Sequence, residues 1–202
     1  IWVSGEGENS IVVYVGANGA LKADQTSERV IGESDYVLLQ MEVPSEENRK
    51  MLEIAKKAGA YTVLNLAPAA PIPNEALALV DFLVVNEVEA AYLAHSLGIQ
   101  DIVNEELIGY FSQEFDLCCL MTLGAQGAIA CNEGVFYSVD APSIDVVDTT
   151  AAGDSFIGGL ISALDRGATL YEAMTFATKV AGLACTKVGA QSSVPYLRES
   201  LV

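Results

Sequence analysis

Residues 146–156 read VVDTTAAGDSF, which predicts a short apolar strand, a tight turn of small residues and the first turn of a helix. Apolar residues at helical spacing continue this helix, namely Phe156, Ile157, Leu160, Ile161 and Leu164. Arg166 falls in the last turn and Gly167 just after it, as is typical of a helix C-terminus. This strand, turn and helix decide how the rest of the chain is interpreted.

The start of this helix is a candidate anion site. A helix N-terminus leaves backbone N–H groups without partners and carries a partial positive charge of about half a unit. The small side chains of Ala151, Ala152 and Gly153 let a ligand reach those groups, and Asp154 follows directly. Taken by itself, Asp154 is more often an ordinary acid that the helix dipole favours. Beside an amide cradle, however, a carboxylate suits phosphoryl transfer, because it accepts the proton of an alcohol while the amides bind the transferring group.

The composition indicates a single globular α/β domain over residues 1–202. Of the 202 residues, 51% are hydrophobic and 7% are aromatic, which suits one large core. Ten basic against 27 acidic side chains give a net charge of −17, which argues against nucleic acid and anionic membranes as partners. No apolar run approaches the roughly 20 residues of a membrane span. The chain opens without Met at Ile1, in what reads as the middle of a strand, so we expect the N-terminal part of a longer protein to be absent.

Cysteine and histidine usage shows no metal-binding pattern. The four cysteines have no CxxC or similar spacing and lie mostly in apolar runs, so we interpret them as buried thiols of a cytoplasmic protein; they are Cys118, Cys119, Cys131 and Cys185. His95 is the only histidine and lies on a predicted helix without a Cys, His or acidic partner at ligand spacing. A histidine in this setting more often has a purely structural position than a role as metal ligand or base.

Strands and helices alternate along the chain. The predicted strands cover 1–4, 11–15, 36–40, 61–66, 82–85, 117–122, 128–131 and 135–139, with turns at 5–9 and 132–134 and a loop at 16–20. The predicted helices cover 23–31, 45–58 with Ser45 as N-cap, a segment beginning at Asn86, 105–114, and a segment from the capping box of Thr169 and Glu172 through 184. This alternation gives right-handed βαβ units and a mainly parallel sheet, whose ligands bind at the carboxyl ends of the strands.

Polar side chains follow several of these strands. Glu42 comes two residues after a strand, where a solvated loop acid is an equally good interpretation. Asn86 and Glu89 begin the next helix, and good helix capping would by itself explain both. The glycine turn at 122–127 follows a further strand, and a plain hairpin connection would explain it. This turn is not a P-loop, because it lacks the sequence GKS or GKT.

Several segments together resemble the ribokinase (PfkB) family of carbohydrate kinases. They are LLQMEVP (38–44), NEVE (86–89), TLGAQG (122–127), DTTAAGDSF (148–156) and KVGAQSSVP (187–195). The segments occur in the family's order, each at a predicted strand or helix boundary. The resemblance implies a three-layer α/β/α ribokinase-like fold with a mainly parallel sheet, in which the N-terminal part and most of the β lid are absent. A sugar-binding Asp and a GGKGAN-type loop belong to that earlier part, so we expect these residues alone to be inactive and prone to association.

The resemblance also implies the roles of individual residues at the reacting centre. Asp154 matches the catalytic base of the family, and Ala152 and Gly153 match its anion hole. Glu42 would bind the sugar hydroxyls together with Asp154. Asn86 and Glu89 match the motif that places Mg²⁺, usually through water, which suits an ion that keeps its hydration shell.

Two larger sets of residues are implied for the nucleotide and for a monovalent ion. Nucleotide binding is implied for Asn86, Thr122, Leu123, Gly124, Ala125, Gln126, Gly127, Gly153 and Thr178. A potassium ion would be enclosed, largely by backbone oxygens, by Asp148, Thr150, Ala184, Lys187, Gly189 and Ser193. Such an ion would fix the turn before the helix and add positive potential beside the anion hole.

The function implied by the resemblance is ATP-dependent phosphorylation of a sugar hydroxyl, with Mg²⁺ and K⁺ as cofactors. The best single assignment is D-ribose to D-ribose 5-phosphate by a protein that is a homodimer at full length. Fructose, a sugar phosphate or a nucleoside stays open as the acceptor. An alternative from another class is a nucleotide-binding or assembly module that has lost catalysis. The retained Asp154 argues against this alternative, since a decayed kinase has no need of a base.

Overall fold

The chain forms two sheets in the computed structural model, which describes residues 2–3, 9–10, 13–100 and 102–200. Two short strands, β1 (Trp2–Val3) and β2 (Asn9–Ser10), pair antiparallel. The larger sheet has six strands whose spatial order equals their chain order. They are β3 (Tyr36–Gln40), β4 (Tyr61–Asn65), β5 (Phe82–Asn86), β6 (Cys118–Thr122), β7 (Ala128–Asn132) and β8 (Val135–Val139).

The pairing of the large sheet is mainly parallel, as predicted. Strands β3 to β6 run parallel to their neighbours, whereas β7 and β8 turn back antiparallel. The register aligns Gln40 with Asn65 at the ends of β3 and β4, and Asn86 with Thr122 at the ends of β5 and β6. The carboxyl ends of four neighbouring strands therefore lie along one edge of the sheet.

Helices cover both faces of this sheet. They are α1 (Glu28–Gly32), α2 (Ser45–Ala58), α3 (Asn74–Leu77), α4 (Glu87–Ser96), α5 (Asn104–Phe115), α6 (Ala152–Asp165), α7 (Leu170–Cys185) and α8 (Leu197–Ser200). Leu83 and Val85 of β5 belong to the core that contains α4 and α5, whereas Val84 between them belongs to the core with α6 and α7. Each is at most 2% exposed, and burial of such a side chain contributes about 1.5–3 kcal/mol. The predicted three-layer α/β/α fold is confirmed.

The predicted ends of α6 and α7 are also confirmed. Helix α7 begins with the capping box, in which the Thr169 N–H donates to Glu172 Oε2 (2.9 Å) and the Glu172 N–H donates to Thr169 Oγ (3.4 Å). Helix α6 ends before Gly167, which has a φ of 83°. Local sequence signals were therefore sufficient to place these two helices.

Three predictions for the first 58 residues were wrong in detail. The helix predicted for 23–31 is two pieces, a 3₁₀ turn at Ala23–Gln25 and α1, because Thr26 and Ser27 between them are extended. The loop predicted for 16–20 is a 3₁₀ turn. Helix α2 has Pro44 as its N-cap, so Ser45 is the first helical residue. The fixed φ of Pro44 suits that boundary, and its carbonyl accepts from the N–H groups of Glu47 and Asn48.

The predicted hairpin at the start of the chain is described only in part. The antiparallel pairing of β1 with β2 agrees with it, although Asn9, predicted as part of the turn, lies in a strand. The turn residues 5–8 lie outside the described residues, as do positions 1, 4, 11 and 12 of the two predicted strands. Residues 13–15 of the second predicted strand have no regular structure.

The apolar strand predicted for Val146 and Val147 was also wrong. Both side chains are more than half exposed, and residues 141–146 carry no regular structure. Instead of joining the sheet, the N–H groups of Val147 and Asp148 both donate to the carbonyl of Cys185 at the end of α7 (2.8 and 3.2 Å). The turn before α6 is thus held by α7 and not by a sheet strand.

The four cysteines are free and buried, as predicted. Burial raises the pKa of Cys118 to about 12, so this thiol stays protonated near neutral pH. His95 lies exposed in the last turn of α4. Among the described residues, no helix has the length and apolar character that crossing a bilayer demands.

The turn between β6 and β7 depends on a glycine. Gly127 has φ 94° and ψ −131°, a conformation that is essentially restricted to glycine. A Cβ at this position would also lie 2.7 Å from the backbone nitrogen of Ala141 and closer still to the carbonyl oxygen of Val139. Gly134, in the next turn, has φ 77° but open space around the position of a Cβ.

We expect Gly127→Ala to lower the free energy of unfolding by at least about 3 kcal/mol, because backbone strain and a collision with β8 add together. The matched Gly134→Ala change introduces strain alone and should cost about 1–2 kcal/mol. Denaturant titration of both variants checks this expectation. If both variants lose the same unfolding free energy, the close approach of a Cβ at position 127 to the β8 backbone contributes nothing.

A buried carboxylate fastens the segment before α1 to α2. The Ala23 N–H donates to Glu47 Oε2 (2.9 Å), and Lys50 Nζ donates to Oε1 (3.0 Å). The Glu47 side chain is only 6% exposed, with Lys22 Nζ 3.5 Å away. The Ala23 hydrogen bond, followed by that of Lys50, lowers the pKa of Glu47 from an ordinary 4.5 to about 2.

We expect Glu47→Gln to destabilise the fold in a pH-dependent way. Because the folded state lowers this pKa, the ionised carboxylate stabilises the protein fully above pH 4.5, and that contribution is lost as the pH falls towards 2. The difference in unfolding free energy between the unchanged protein and Glu47→Gln should therefore shrink across this interval. Glu75→Gln, at an exposed position, is the control variant. A pH-independent effect of Glu47→Gln would contradict the assignment.

Candidate active site

A pocket of about 230 Å³ lies at the carboxyl ends of β4, β5 and β6 and is closed on one side by the start of α6. Its lining residues include Asn86 and Thr122 from the sheet edge, Glu89 from the first turn of α4, and Ala152, Gly153 and Asp154 from α6. The structure therefore brings together catalytic, magnesium and nucleotide residues that were predicted from separate segments. Ala151, predicted as part of the anion site, lines the same pocket, and so do Asn65, Ala67 and Thr149, to which no part in binding or catalysis was assigned.

A left-handed residue shapes the start of α6. Ala151 is its N-cap with φ 61° and ψ 15°, a conformation uncommon for a residue other than glycine. The Ala152 N–H donates to the Thr149 carbonyl (3.2 Å). The N–H groups of Gly153 and Asp154 donate to none of the described residues. The open donors of this turn are thus those of Gly153 and Asp154, one residue later than the predicted pair.

Asp154 is exposed and is held by one side chain. Its Oδ1 accepts a hydrogen bond from Gln40 Nε2 at 3.0 Å. Its Oδ2 accepts from none of the described residues. Gln40 lies within a segment that resembles the family, but the sequence assigned it no role. Its position as the last residue of a parallel strand was the one signal that could have found it.

Asn86 and Glu89 form the predicted capping box of α4. The Glu89 N–H donates to Asn86 Oδ1 and the Asn86 N–H donates to Glu89 Oε2, both at 2.8 Å. Glu89 is 7% exposed, and this burial raises its pKa while the hydrogen bonds from Asn86 oppose the change. One oxygen of each side chain thus accepts a hydrogen bond from the backbone at the start of the helix. This donor set fits the outer shell of a hydrated Mg²⁺ better than direct coordination.

Asp148 joins the turn before α6 to the segment after α7. Its Oδ1 accepts from the Thr150 N–H and its Oδ2 from the Gly189 N–H, both at 2.9 Å. Hydrogen bonds from Thr150, and next from Gly189, lower the pKa of Asp148. Ser193 is fully buried and donates to the Ala190 carbonyl (2.8 Å).

The predicted potassium residues of the two segments are therefore linked at Asp148. The Lys187 N–H donates to the Ala184 carbonyl (3.2 Å), so these two residues form part of one turn. The Lys187 ammonium lies 4.0 Å from Glu199. Both oxygens of Asp148 accept from backbone donors, so backbone carbonyls would have to supply most ligands of a cation here. The potassium set stays a prediction.

Other predicted residues lie outside the pocket. Glu42 is exposed and lines a separate depression of about 410 Å³ with Leu21 and Val43. Thr178 is buried in α7, where its hydroxyl donates to the Met174 carbonyl (2.7 Å), which agrees with a packing position. In the turn 122–127, Gly124–Gln126 form a 3₁₀ turn, and Thr122 alone of the six residues lines the pocket.

A larger depression of about 1210 Å³ lies at the opposite edge of the sheet, beside Tyr61, Phe82 and Cys118 at the amino ends of their strands. Size favours this depression, but the chemistry favours the smaller pocket. Ligands of parallel sheets bind at the carboxyl ends of the strands, where the helix amides and Asp154 meet. We therefore assign the 230 Å³ pocket as the candidate active site.

Known proteins resemble this chain over nearly its whole length. Residues 1–197 match the model of the pfkB family of carbohydrate kinases. The ribokinase of Staphylococcus aureus is 39% identical over 206 residues, covering 98% of this chain and 66% of that protein. Two solved ribokinase structures are similar, each over 98% of this chain and 66% of theirs. The Thermotoga maritima structure has a TM-score of 0.90 at 33% identity, and the Arabidopsis thaliana structure, complexed with ribose and ATP, has 0.86 at 30%.

The chain thus spans about two-thirds of the length of these relatives (66%). The match nevertheless includes every segment that lines the pocket, since it extends over residues 1–197. The chain belongs to the pfkB family of carbohydrate kinases.

Proposed function

We propose that this chain carries the catalytic centre of an ATP-dependent sugar kinase whose acceptor is D-ribose. The observation that carries the proposal is Asp154, a carboxylate at the N-terminus of α6 with one oxygen unpaired among the described residues. The open amide of Gly153 lies directly beside it. An acceptor for an alcohol proton and a donor for phosphoryl oxygens therefore face the same pocket.

The proposed reaction is an in-line phosphoryl transfer. The proton of the sugar hydroxyl passes to Asp154 Oδ2, and the sugar oxygen forms a bond to the γ-phosphorus of ATP. The bond between that phosphorus and the bridging oxygen breaks, and ADP leaves with the electron pair. The N–H groups of Gly153 and Asp154 bind the equatorial oxygens, where charge is spread in the transition state.

Two cations complete the proposal. Glu89 and Asn86 would hold the water shell of Mg²⁺, which would supply positive charge to neutralise the phosphate oxygens of ATP. The backbone around Asp148, Ala184 and Ser193 would hold K⁺ and keep the turn before α6 in position. Glu42 is proposed to bind sugar hydroxyls from the neighbouring depression, and the turn 122–127 with Thr178 to lie along the nucleotide.

The names of the relatives support ribose as the acceptor. The Staphylococcus aureus relative is a ribokinase, and the Arabidopsis structure is a complex with ribose and ATP. Fructose, a sugar phosphate or a nucleoside stays open as the acceptor, and a module without catalysis would have no use for a carboxylate such as Asp154 in this position. We propose a homodimer by the same resemblance, and a cytoplasmic location because the four thiols are free.

We expect Asp154→Asn to lower kcat by about 10²- to 10⁴-fold in the intact natural protein, because the amide cannot accept the proton. ATP affinity measured by calorimetry should change little, since the backbone amides are retained. Asp165→Asn at the far end of the same helix is the matched control and should keep full turnover.

Steady-state assays with ribose, fructose, a sugar phosphate and a nucleoside test the reaction and the acceptor together. A normal kcat of Asp154→Asn would contradict the assignment of Asp154 as the base. Turnover with fructose alone would replace ribose as the acceptor. ATP binding without turnover of any acceptor would favour the non-catalytic module.

We expect K⁺ to stimulate the unchanged protein and Asp148→Asn to abolish this stimulation. The substitution puts an amide where the carboxylate now joins the Thr150 and Gly189 N–H groups, so the two segments that would enclose the ion separate. The measurement compares turnover in KCl with turnover in tetramethylammonium chloride. Asp145→Asn, an exposed acid three residues earlier, is the control and should keep the response. A K⁺ response retained by Asp148→Asn would contradict this site.

A further inference from the structure

Gln40 makes the one hydrogen bond that Asp154 receives from the described side chains, across 114 residues of sequence. It is the last residue of β3, whereas Asp154 lies in the first turn of α6. The donor is the amide Nε2 and the acceptor is Oδ1, 3.0 Å apart. The contact therefore joins the sheet edge to the helix at the reacting group itself.

The backbone that carries Gln40 is firmly held. Asn48 of α2 is 2% exposed and donates from Nδ2 to the Gln40 carbonyl at 2.7 Å. The next N–H, that of Met41, donates to the carbonyl of Ala67 at 2.9 Å, and Ala67 lines the pocket. The register of the sheet pairs Gln40 with Asn65, a further pocket residue. These three contacts thus fix the backbone position from which the side chain of Gln40 extends.

The backbone around Asp154 leaves its carboxylate with little other support. The residue is exposed, and its own N–H is one of the open donors of the α6 turn. A carboxylate on a short side chain rotates readily about its terminal bond, so its two oxygens exchange places unless one is bound. Among the described residues, Gln40 alone binds one of these two oxygens.

From this geometry we infer that Gln40 is a positioning residue, which holds Asp154 Oδ1 so that Oδ2 is presented to the acceptor hydroxyl. The inference rests on the proposed role of Asp154 as a base. Because an amide N–H can only donate, the side chain of Gln40 in this orientation binds an ionised carboxylate and cannot compete for the substrate proton. The contact fixes the base in a geometry that is ready for proton transfer, which contributes to the rate without contacting the substrate.

A competing role for Gln40 is direct binding of the sugar, since its side chain is partly exposed and also lines the depression that contains Glu42. The two roles differ in which kinetic constant they affect. A sugar ligand that binds ground state and transition state equally changes KM, whereas a residue that orients the base changes kcat. A purely structural residue would change stability and neither constant.

The test uses Gln40→Met and Gln40→Glu in the intact natural protein. Methionine keeps the length of the side chain but lacks the donor, and glutamate keeps the shape but places an acceptor against Oδ1. We expect Gln40→Met to lower kcat by about 10- to 100-fold, the range for a lost hydrogen bond to a charged group, with the KM for ribose and ATP unchanged within about twofold. Gln40→Glu should lower kcat further, because two carboxylates repel each other. Gln113→Met, an exposed glutamine on α5, is the control and should behave like the unchanged protein.

Each outcome decides the inference. A raised KM for ribose at unchanged kcat would make Gln40 a sugar ligand and overturn the positioning role. Unchanged constants in both variants would overturn it as well, as would a loss of kcat that Gln113→Met shares. Crystal structures of the unchanged protein and of Gln40→Met give a readout that does not need turnover. If no sugar is phosphorylated by the unchanged protein, the proposed function fails by itself, and an Asp154 carboxylate with the same rotamer in both crystals overturns the positioning role separately.

Discussion

The parallel register of β3 to β6 is the constraint on which the site depends. Because these strands run in one direction and are aligned residue by residue, whatever follows each strand emerges at the same edge. Gln40, Asn86 and Thr122 are strand-terminal residues of this kind. A slip of one residue in any strand would turn its buried side chains to the other face, so the hydrophobic cores on the two faces hold the register and with it the pocket.

The proposed site would bind phosphate groups in a chain whose net charge is −17. None of the residues described as lining the pocket is Lys, Arg or His. Under the proposed function, attraction for phosphate would therefore come from backbone amides, chiefly those of Gly153 and Asp154, and from bound cations. At physiological salt the field of distant carboxylates is screened over about 8 Å, so these near donors outweigh the global charge. A need for cations would then follow from how the proposed anion site is built.

Short-range signals in the sequence predicted much of this structure. Asn86 with Glu89 was recognisable because a capping box is contained within four residues, and Gly153 because small residues before an apolar stripe mark an accessible helix start. The strand predicted for 146–147 was wrong because apolar residues alone indicated a sheet strand. In the structure the Cys185 carbonyl at the end of α7 accepts hydrogen bonds from the N–H groups of Val147 and Asp148. The sequence did not predict the contact of Gln40, for a related reason. Its partner is 114 residues away, and no local pattern reports a contact that only the assembled layers create.

The chain order of the sheet has a consequence for how the protein folds. Each of the six strands pairs with its neighbours in the chain, so no pairing in this sheet closes a loop longer than the connection between two consecutive strands. Contact between β3 and α6 is different, because it closes a loop of more than a hundred residues and requires the whole sheet to lie between its ends. We therefore expect Gln40 and Asp154 to meet late in folding. Their contact would then report that the start of α6 has reached the end of β3, so a probe of this one hydrogen bond would follow the final stage of assembly.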